Sequence, residues 1–98
     1  MGPCIVTADG VPEPTKMLLP GSVNGELRQR APVSDLIFDI PTLIQTLSRS
    51  MTLGPGDLIA TGTCAGVGIG FDPPKFLRPG DRVRVTIEPI GTLENTVR

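Results

Sequence analysis

The segment TGTCAGVG, residues 61–68, holds the residue types in this chain best suited to binding a small molecule. Its threonine hydroxyls can donate or accept hydrogen bonds, and its glycines let the backbone approach a ligand closely. Free backbone N–H groups in such a loop favour a small anion such as a carboxylate. A P-loop would need Lys-Ser/Thr after the glycines, and a dinucleotide fingerprint has another glycine spacing. The pattern alone leaves two interpretations open, a ligand-binding loop and a plain connection between strands.

The other reactive side chains narrow the chemistry. The chain has no His, which excludes Ser-His and Cys-His nucleophile pairs and imidazole metal ligands within it. A general base would have to be Asp, Glu, Lys16 or Lys75. Cys64 has no His or nearby Lys in sequence to activate it, so we interpret it as a small loop residue. Cys4 and Cys64 are expected to be free thiols of an intracellular protein.

The carboxylates are the remaining candidates for metal ligands. Asp39 is better explained as a helix cap, and Asp57 and Asp81 as turn residues bonded to nearby backbone. A hard cation needs one or two well-placed carboxylates, and no two acids stand two residues apart on a predicted strand. The sequence therefore predicts no complete metal site within this chain. The acids considered are Asp9, Glu13, Asp35, Asp39, Asp57, Asp72 and Asp81.

Composition limits the class of protein. A chain of 98 residues with a net charge of −1 is long enough for one domain and lacks the basic excess that nucleic acid or an anionic membrane would require. No apolar run approaches the roughly 20 residues of a membrane span, and no signal-peptide pattern is visible at the start. We expect a cytoplasmic location, with mitochondria left open.

Local signals predict the elements that position the loop. Asn24-Gly25 predicts a type I′ hairpin in which Val23 faces Glu26, and the preceding Pro-Gly step predicts a bulge or an edge position. Ser34 is expected to cap a short turn. Asp39 is expected to cap a helix that ends near residue 50, with an apolar stripe at Ile40, Leu43, Ile44 and Leu47.

The frame Leu-x-Pro-Gly-Asp occurs twice, from Leu53 and from Leu77. It predicts a type II turn with a positive φ at Gly56 and at Gly80, each turn leading into a strand. Strands are predicted over residues 4–9, 58–60 (buried on both faces), 82–87 (one wet face) and 93–97. With the hairpin this makes about six short strands and one or two short helices. The predicted fold class is mainly β, or α+β by count, with mixed or antiparallel strands.

The ordered motifs GPCIVTAD, VNGELRQ, SDLIFDIPTLIQTLS, MTLGPGDLIATGTCAGVG and FLRPGDRVRVTIEPIGTLENTV resemble the C-terminal part of the fumarylacetoacetate hydrolase family. The resemblance covers residues 2–98 and implies a β-roll that is usually dimeric. It also implies that residues 1–98 form a single, partial domain, the C-terminal part of a catalytic domain. The family includes hydrolases, decarboxylases and isomerases acting on keto acids, so the resemblance does not identify the substrate.

The resemblance implies a chemistry as well. In that family Mg²⁺ or Mn²⁺ chelates the keto-acid end of the substrate and polarises its carbonyls. The second threonine of the Thr-Gly-Thr step corresponds to Thr63, whose hydroxyl would bond a substrate oxygen, while Gly62 and Cys64 flank it. The family usually has Pro where this chain has Cys64.

The family's metal ligands, a Glu-x-Glu pair and a later Asp, lie upstream of the GP-x-IVTAD motif, as do its active-site Lys and its His/Glu lid. The resemblance therefore implies no metal ligand and no catalytic residue in this chain. Two hypotheses follow: a fragment of a metal-dependent keto-acid enzyme that is inactive alone, or a non-enzymatic binding or assembly module. A separate chain supplying the ligands in trans is a third. Homodimerisation or association through an exposed apolar face is expected.

Overall fold

A β-hairpin begins the sheet in the computed structural model, which describes Gly2 and residues 4–98. Strand β1 (Leu18–Val23) pairs antiparallel with β2 (Glu26–Pro32), and Val23 stands opposite Glu26. The two turn residues have positive φ angles, 51° at Asn24 and 83° at Gly25. These values fit a type I′ turn, so the hairpin prediction is confirmed.

The pairing of β1 with β2 is irregular beside the Pro-Gly step of β1, where Arg28 of β2 is the extra residue. The register shifts between Gly21 and Ser22, which confirms the predicted bulge. On its other side β1 pairs with β3 only from Gly21 to Val23. At Pro20 the strand therefore has β2 as its one hydrogen-bonded neighbour, a position where proline's missing N–H costs no ladder bond.

The remaining strands complete one antiparallel sheet. Strand β3 (Arg82–Ile87) pairs with β4 (Gly91–Thr96), and the order across the sheet is β2-β1-β3-β4. Both predicted Pro-Gly turns are present, with φ angles of 96° at Gly56 and 94° at Gly80. Only the second turn leads into a strand. The mainly β fold class is confirmed, with antiparallel pairing throughout the described strands.

Helix α1 (Ile40–Ser48) is the α-helix of the described residues. The backbone N–H of Thr42 donates to the Asp39 carboxylate over 2.9 Å, and proline occupies the first turn, so the predicted cap is confirmed. The predicted Ser34 cap is wrong. A 3-10 turn spans Val33–Asp35 and has no side-chain cap, so Ser34 lies inside that turn. No described helix is long and apolar enough to cross a membrane.

Two predicted strands are absent from the described structure. Residues 4–7 and 58–60 run without strand pairing, and a 3-10 turn follows the first of them at Ala8–Gly10. Leu58, predicted to be buried, is 70% exposed. A strand needs a neighbour to satisfy its N–H and C=O groups, and the described residues offer these segments none. Pro3, in the GPCIVTAD motif, lies outside the described residues.

The described chain buries very little apolar surface. Val33 is its one buried hydrophobic residue, while Ile37, Phe38, Ile69 and Phe76 are each more than 60% exposed. The accessible surface is 7687 Å² for 10.3 kDa, whereas a free-standing protein of that mass exposes roughly 5,400 Å². The radius of gyration is 15.3 Å, compared with roughly 12.6 Å for a compact domain of this length. The sheet and helix thus present uncovered apolar faces.

Candidate functional site

The loop of residues 61–68 lies against the backbone of β2. Gly66 has a φ of 101°, and a Cβ built there would overlap the carbonyl oxygen of Arg28 and lie 3.1 Å from Cγ of Gln29. Backbone at that distance cannot move aside as a side-chain tip can. Glycine at position 66 is therefore required by a close approach as well as by its φ angle.

Gln29 on β2 holds the first half of this loop. Its Nε2 donates to Oγ1 of Thr63 and to the carbonyl oxygen of Cys64, each over 2.9 Å. These two bonds join positions 34 and 35 residues apart in the chain. Within the described chain, the backbone N–H groups of residues 58–67 donate to no other backbone group.

Residues 61–64 line one side of an open groove of about 600 Å³. Most of the remaining lining is apolar and includes Leu19 of β1, Ala31 of β2, and Phe38 and Leu43 around the start of α1. Asp35 is the one carboxylate in this lining. The structure thus brings Gly62, Thr63 and Cys64 together at one wall of a groove, as expected from their adjacency, with the Thr63 side chain exposed.

A cluster of charged side chains joins Lys75, which follows the loop of residues 61–68, to strand β2. Lys75 pairs with Glu26 over 2.5 Å, and Arg28 lies 3.3 Å from the same carboxylate. Both cations sit over the ring of Phe71, at 5.4 Å for Arg28 and 4.9 Å for Lys75. The hydrogen bond from Lys75, followed by charge attraction from Arg28, holds the pKa of Glu26 below its usual range. Lys75 is thus engaged in a structural ion pair, and Lys16 pairs with Glu13.

The carboxylates interpreted as turn residues have that role. Asp57 accepts from the N–H of Gly54 over 2.7 Å, and Asp81 from that of Arg78 over 2.8 Å. The Arg78 N–H, with help from the Asn24 amide, lowers the pKa of Asp81. In the part of the chain that the structure describes, no three His, Cys, Asp or Glu side chains converge as a metal site would need. These residues do not by themselves fit a divalent cation.

Gln29 is a residue of this site that sequence reasoning missed, apart from its place in the VNGELRQ motif. Along β2 it shares a face with Ala31, since alternate residues of a strand point the same way. The register shift in the β1–β2 pairing places Leu27 opposite Ser22, on the other face, so strict alternation along the sequence would have misplaced Leu27. The hydrogen bond of Gln29 to Thr63 could not be predicted from the sequence, because the two positions are 34 residues apart.

Comparison with known proteins places this arrangement in context. The family model "Fumarylacetoacetate (FAA) hydrolase C-terminal" matches residues 1–98. The oxaloacetate tautomerase YisK of Bacillus subtilis is 57% identical over 97 residues, covering 99% of this chain and 32% of that protein. The chain therefore spans about a third of this relative's length.

Solved structures share the fold at high similarity. A fumarylacetoacetate hydrolase from Exiguobacterium antarcticum superposes with a TM-score of 0.93 at 48% identity, over 99% of this chain and 35% of that one. Maleylpyruvate hydrolase from Sphingobium, solved with manganese(II) and pyruvate, gives 0.87 at 46% identity, over 98% and 34%. With the model matching residues 1–98, the chain belongs to the fumarylacetoacetate hydrolase family.

Proposed function

We propose that this chain is the C-terminal part of the catalytic domain of a metal-dependent enzyme acting on 2-keto acids, and that it is inactive alone. The observation that carries the proposal is the exposed Thr63 hydroxyl, held at the wall of a groove by Gln29. In the proposed enzyme this hydroxyl donates to a carboxylate or keto oxygen of the substrate. Gly62 and Cys64 contribute backbone beside it.

The substrate class follows from the relatives and the groove together. A maleylpyruvate hydrolase was solved with pyruvate and manganese, and other relatives carry the names of a tautomerase and an isomerase. Their named substrates are acids that carry keto groups or the corresponding enols. The groove lining combines apolar residues that suit a carbon chain with the Thr63 hydroxyl that suits an acid group. The proposed reaction is C–C hydrolysis, decarboxylation or isomerisation of such an acid.

The metal is proposed to be Mg²⁺ or Mn²⁺, polarising the substrate carbonyls when bound. Its ligands are proposed to come from polypeptide outside these residues, because the groove beside Thr63 carries Asp35 as its single carboxylate. The accessible surface of the chain exceeds that of a compact protein of this mass by roughly 2,300 Å². This excess supports the presence of further polypeptide against these residues. Further polypeptide, or a second copy in a dimer, is proposed to cover the apolar faces.

A chimera tests the proposal. This chain replaces the matching third of the Bacillus subtilis tautomerase, and oxaloacetate tautomerisation is measured. Thr63→Val is expected to lower kcat/KM by about tenfold to a hundredfold, since one hydrogen bond to a charged oxygen is lost, while Thr63→Ser keeps the hydroxyl and most activity. Thr92→Val is the matched control, because Thr92 bonds Thr86 in the sheet and lies outside the groove.

The isolated chain tests the second part of the proposal, that these residues are inactive alone. Without the chimera's remainder it is expected to show no turnover and no Mn²⁺ binding near about 1 μM in calorimetry. Turnover by the isolated chain that Thr63→Val abolishes would overturn the proposal that it is inactive alone. A chimera that folds but is equally active with threonine or valine at position 63 would favour the assembly-module hypothesis.

A further inference from the structure

The hydrogen-bond pattern around Gln29 determines which way its bonds run. The carbonyl oxygen of Cys64 can only accept, so the Gln29 atom 2.9 Å from it must be the amide nitrogen. The same nitrogen lies 2.9 Å from Oγ1 of Thr63. Because an amide NH₂ has two protons and no lone pair to share, each proton is given to one partner.

These bond directions decide where the proton of the Thr63 hydroxyl can point. Its oxygen accepts from Gln29, which uses one lone pair and keeps the hydroxyl from donating in that direction. Its own proton is left to point elsewhere. Thr63 is exposed and lines the groove, where an acceptor oxygen of a ligand would meet that proton.

We propose that Gln29 is a positioning residue that sets the polarity of the Thr63 hydroxyl, making it a hydrogen-bond donor toward an anionic oxygen in the groove. Gln29 does not touch the ligand in this arrangement. It acts through Thr63 and through the Cys64 carbonyl, which it holds turned toward β2. The inference rests on the proposed function for its ligand, a 2-keto acid or its enolate, and deepens it by naming what orients the binding hydroxyl.

Two substitutions at position 29 separate polarity from packing. Gln29→Glu has nearly the same shape, but its carboxylate accepts hydrogen bonds, so it draws the Thr63 proton away from the groove and repels the Cys64 carbonyl. Gln29→Met keeps the length of the side chain and removes the donor altogether. Protonating the introduced carboxyl returns one donor to the site, which the methionine variant cannot do at any pH.

The experiment measures oxalate affinity by calorimetry with Mn²⁺ present, on the protein at its natural length. Gln29→Glu is expected to bind oxalate about tenfold to a hundredfold more weakly than the parent near neutral pH. The difference in oxalate affinity between this variant and the parent is expected to narrow toward about pH 5.5, where a carboxyl facing a carbonyl oxygen regains its proton. Gln29→Met is expected to bind more weakly at every pH without narrowing. The parent is titrated over the same range because Asp35 and Cys64 line the same groove.

A Gln29→Glu variant that binds as the parent does, or whose loss is as independent of pH as that of Gln29→Met, overturns the proposal. If the parent itself binds no oxalate, the proposed function fails and the polarity is still decided by the pKa of the introduced carboxyl, measured by ¹³C NMR. A pKa raised above the usual value of about 4.3 supports the inferred bond directions, since the protonated form donates to the Cys64 carbonyl. An unshifted pKa overturns them.

Discussion

Gly66 is the residue on which the position of the candidate loop depends most directly. It combines a left-handed φ of 101° with a backbone neighbour, the Arg28 carbonyl, that leaves no space for a Cβ. A small residue in a loop is often tolerant of change, but here two independent constraints act on one position. The loop can lie against β2 only while this residue has no side chain.

At this scale we predict that Gly66→Ala lowers the free energy of unfolding by roughly 1–3 kcal/mol, from the strained backbone and the overlap with β2. Urea unfolding measures the change. Gly54→Ala is the matched control, because a Cβ at Gly54 meets nothing within 4 Å, and it is expected to change stability by less than about 1 kcal/mol. Equal effects of the two substitutions would contradict the proposed contact.

At the scale of elements, Asn24 joins two turns that the sequence presents as separate. Its Nδ2 donates to Oδ1 of Asp81 over 2.8 Å, while its Oδ1 accepts from the N–H of Arg82 over 2.9 Å. The β1–β2 turn is thereby tied to the turn that leads into β3. The residue that allows the tight hairpin also aligns β1 with β3.

The reciprocal exchange of these two side chains tests the connection. Asn24→Asp still fits the turn and still accepts from Arg82, but it places a carboxylate against Asp81 and is expected to cost roughly 1–3 kcal/mol at neutral pH. Adding Asp81→Asn restores one donor and one acceptor, so the double variant is expected to regain most of the loss. Chemical denaturation of both variants measures the coupling. Additive losses in the double variant would show that the two turns are not joined through this pair.

At the scale of the whole molecule, the paired carboxylates link stability to pH. Glu94, bonded first by Arg82 and then by Arg84, has a lowered pKa, as do Glu26 beside Lys75 and Asp81 beside the Arg78 N–H. A carboxyl whose folded pKa is lowered contributes stability that is complete above its unfolded pKa and is lost as the pH falls through the folded value. All three carboxyl groups therefore lower the stability of the fold as the pH falls.

We predict that Tm is constant above about pH 5 and falls as the pH drops below about 4, where these carboxylates take up protons. The pairs are exposed, so each contributes little and salt weakens the effect. Calorimetric scans across this range check it. Glu94→Gln is expected to make the acid decline shallower, because its carboxylate no longer titrates. A Tm that rises on acidification would contradict the assignment.

The exposed apolar faces also belong to this scale. The described residues bury one hydrophobic side chain, that of Val33 in the 3-10 turn after β2, so the sheet cannot derive much stability from a core of its own. Residues 58–60, predicted to be a strand buried on both faces, run exposed and unpaired in the described structure. Their apolar character fits the proposal that further polypeptide, or a second copy, covers the apolar faces.

The sequence by itself determined the family, through its ordered motifs. It also determined the local features: the Asn-Gly hairpin, the bulge at the Pro-Gly step, both Pro-Gly-Asp turns and the Asp39 cap. Each depends on backbone preferences and hydrogen bonds within a few residues, so neighbouring residue types suffice. The tertiary structure alone decided which apolar segments pair as strands, that Gly66 lies on Arg28, and that Gln29 holds Thr63. Those outcomes depend on contacts between residues more than 30 positions apart, whose formation depends on how the whole chain packs.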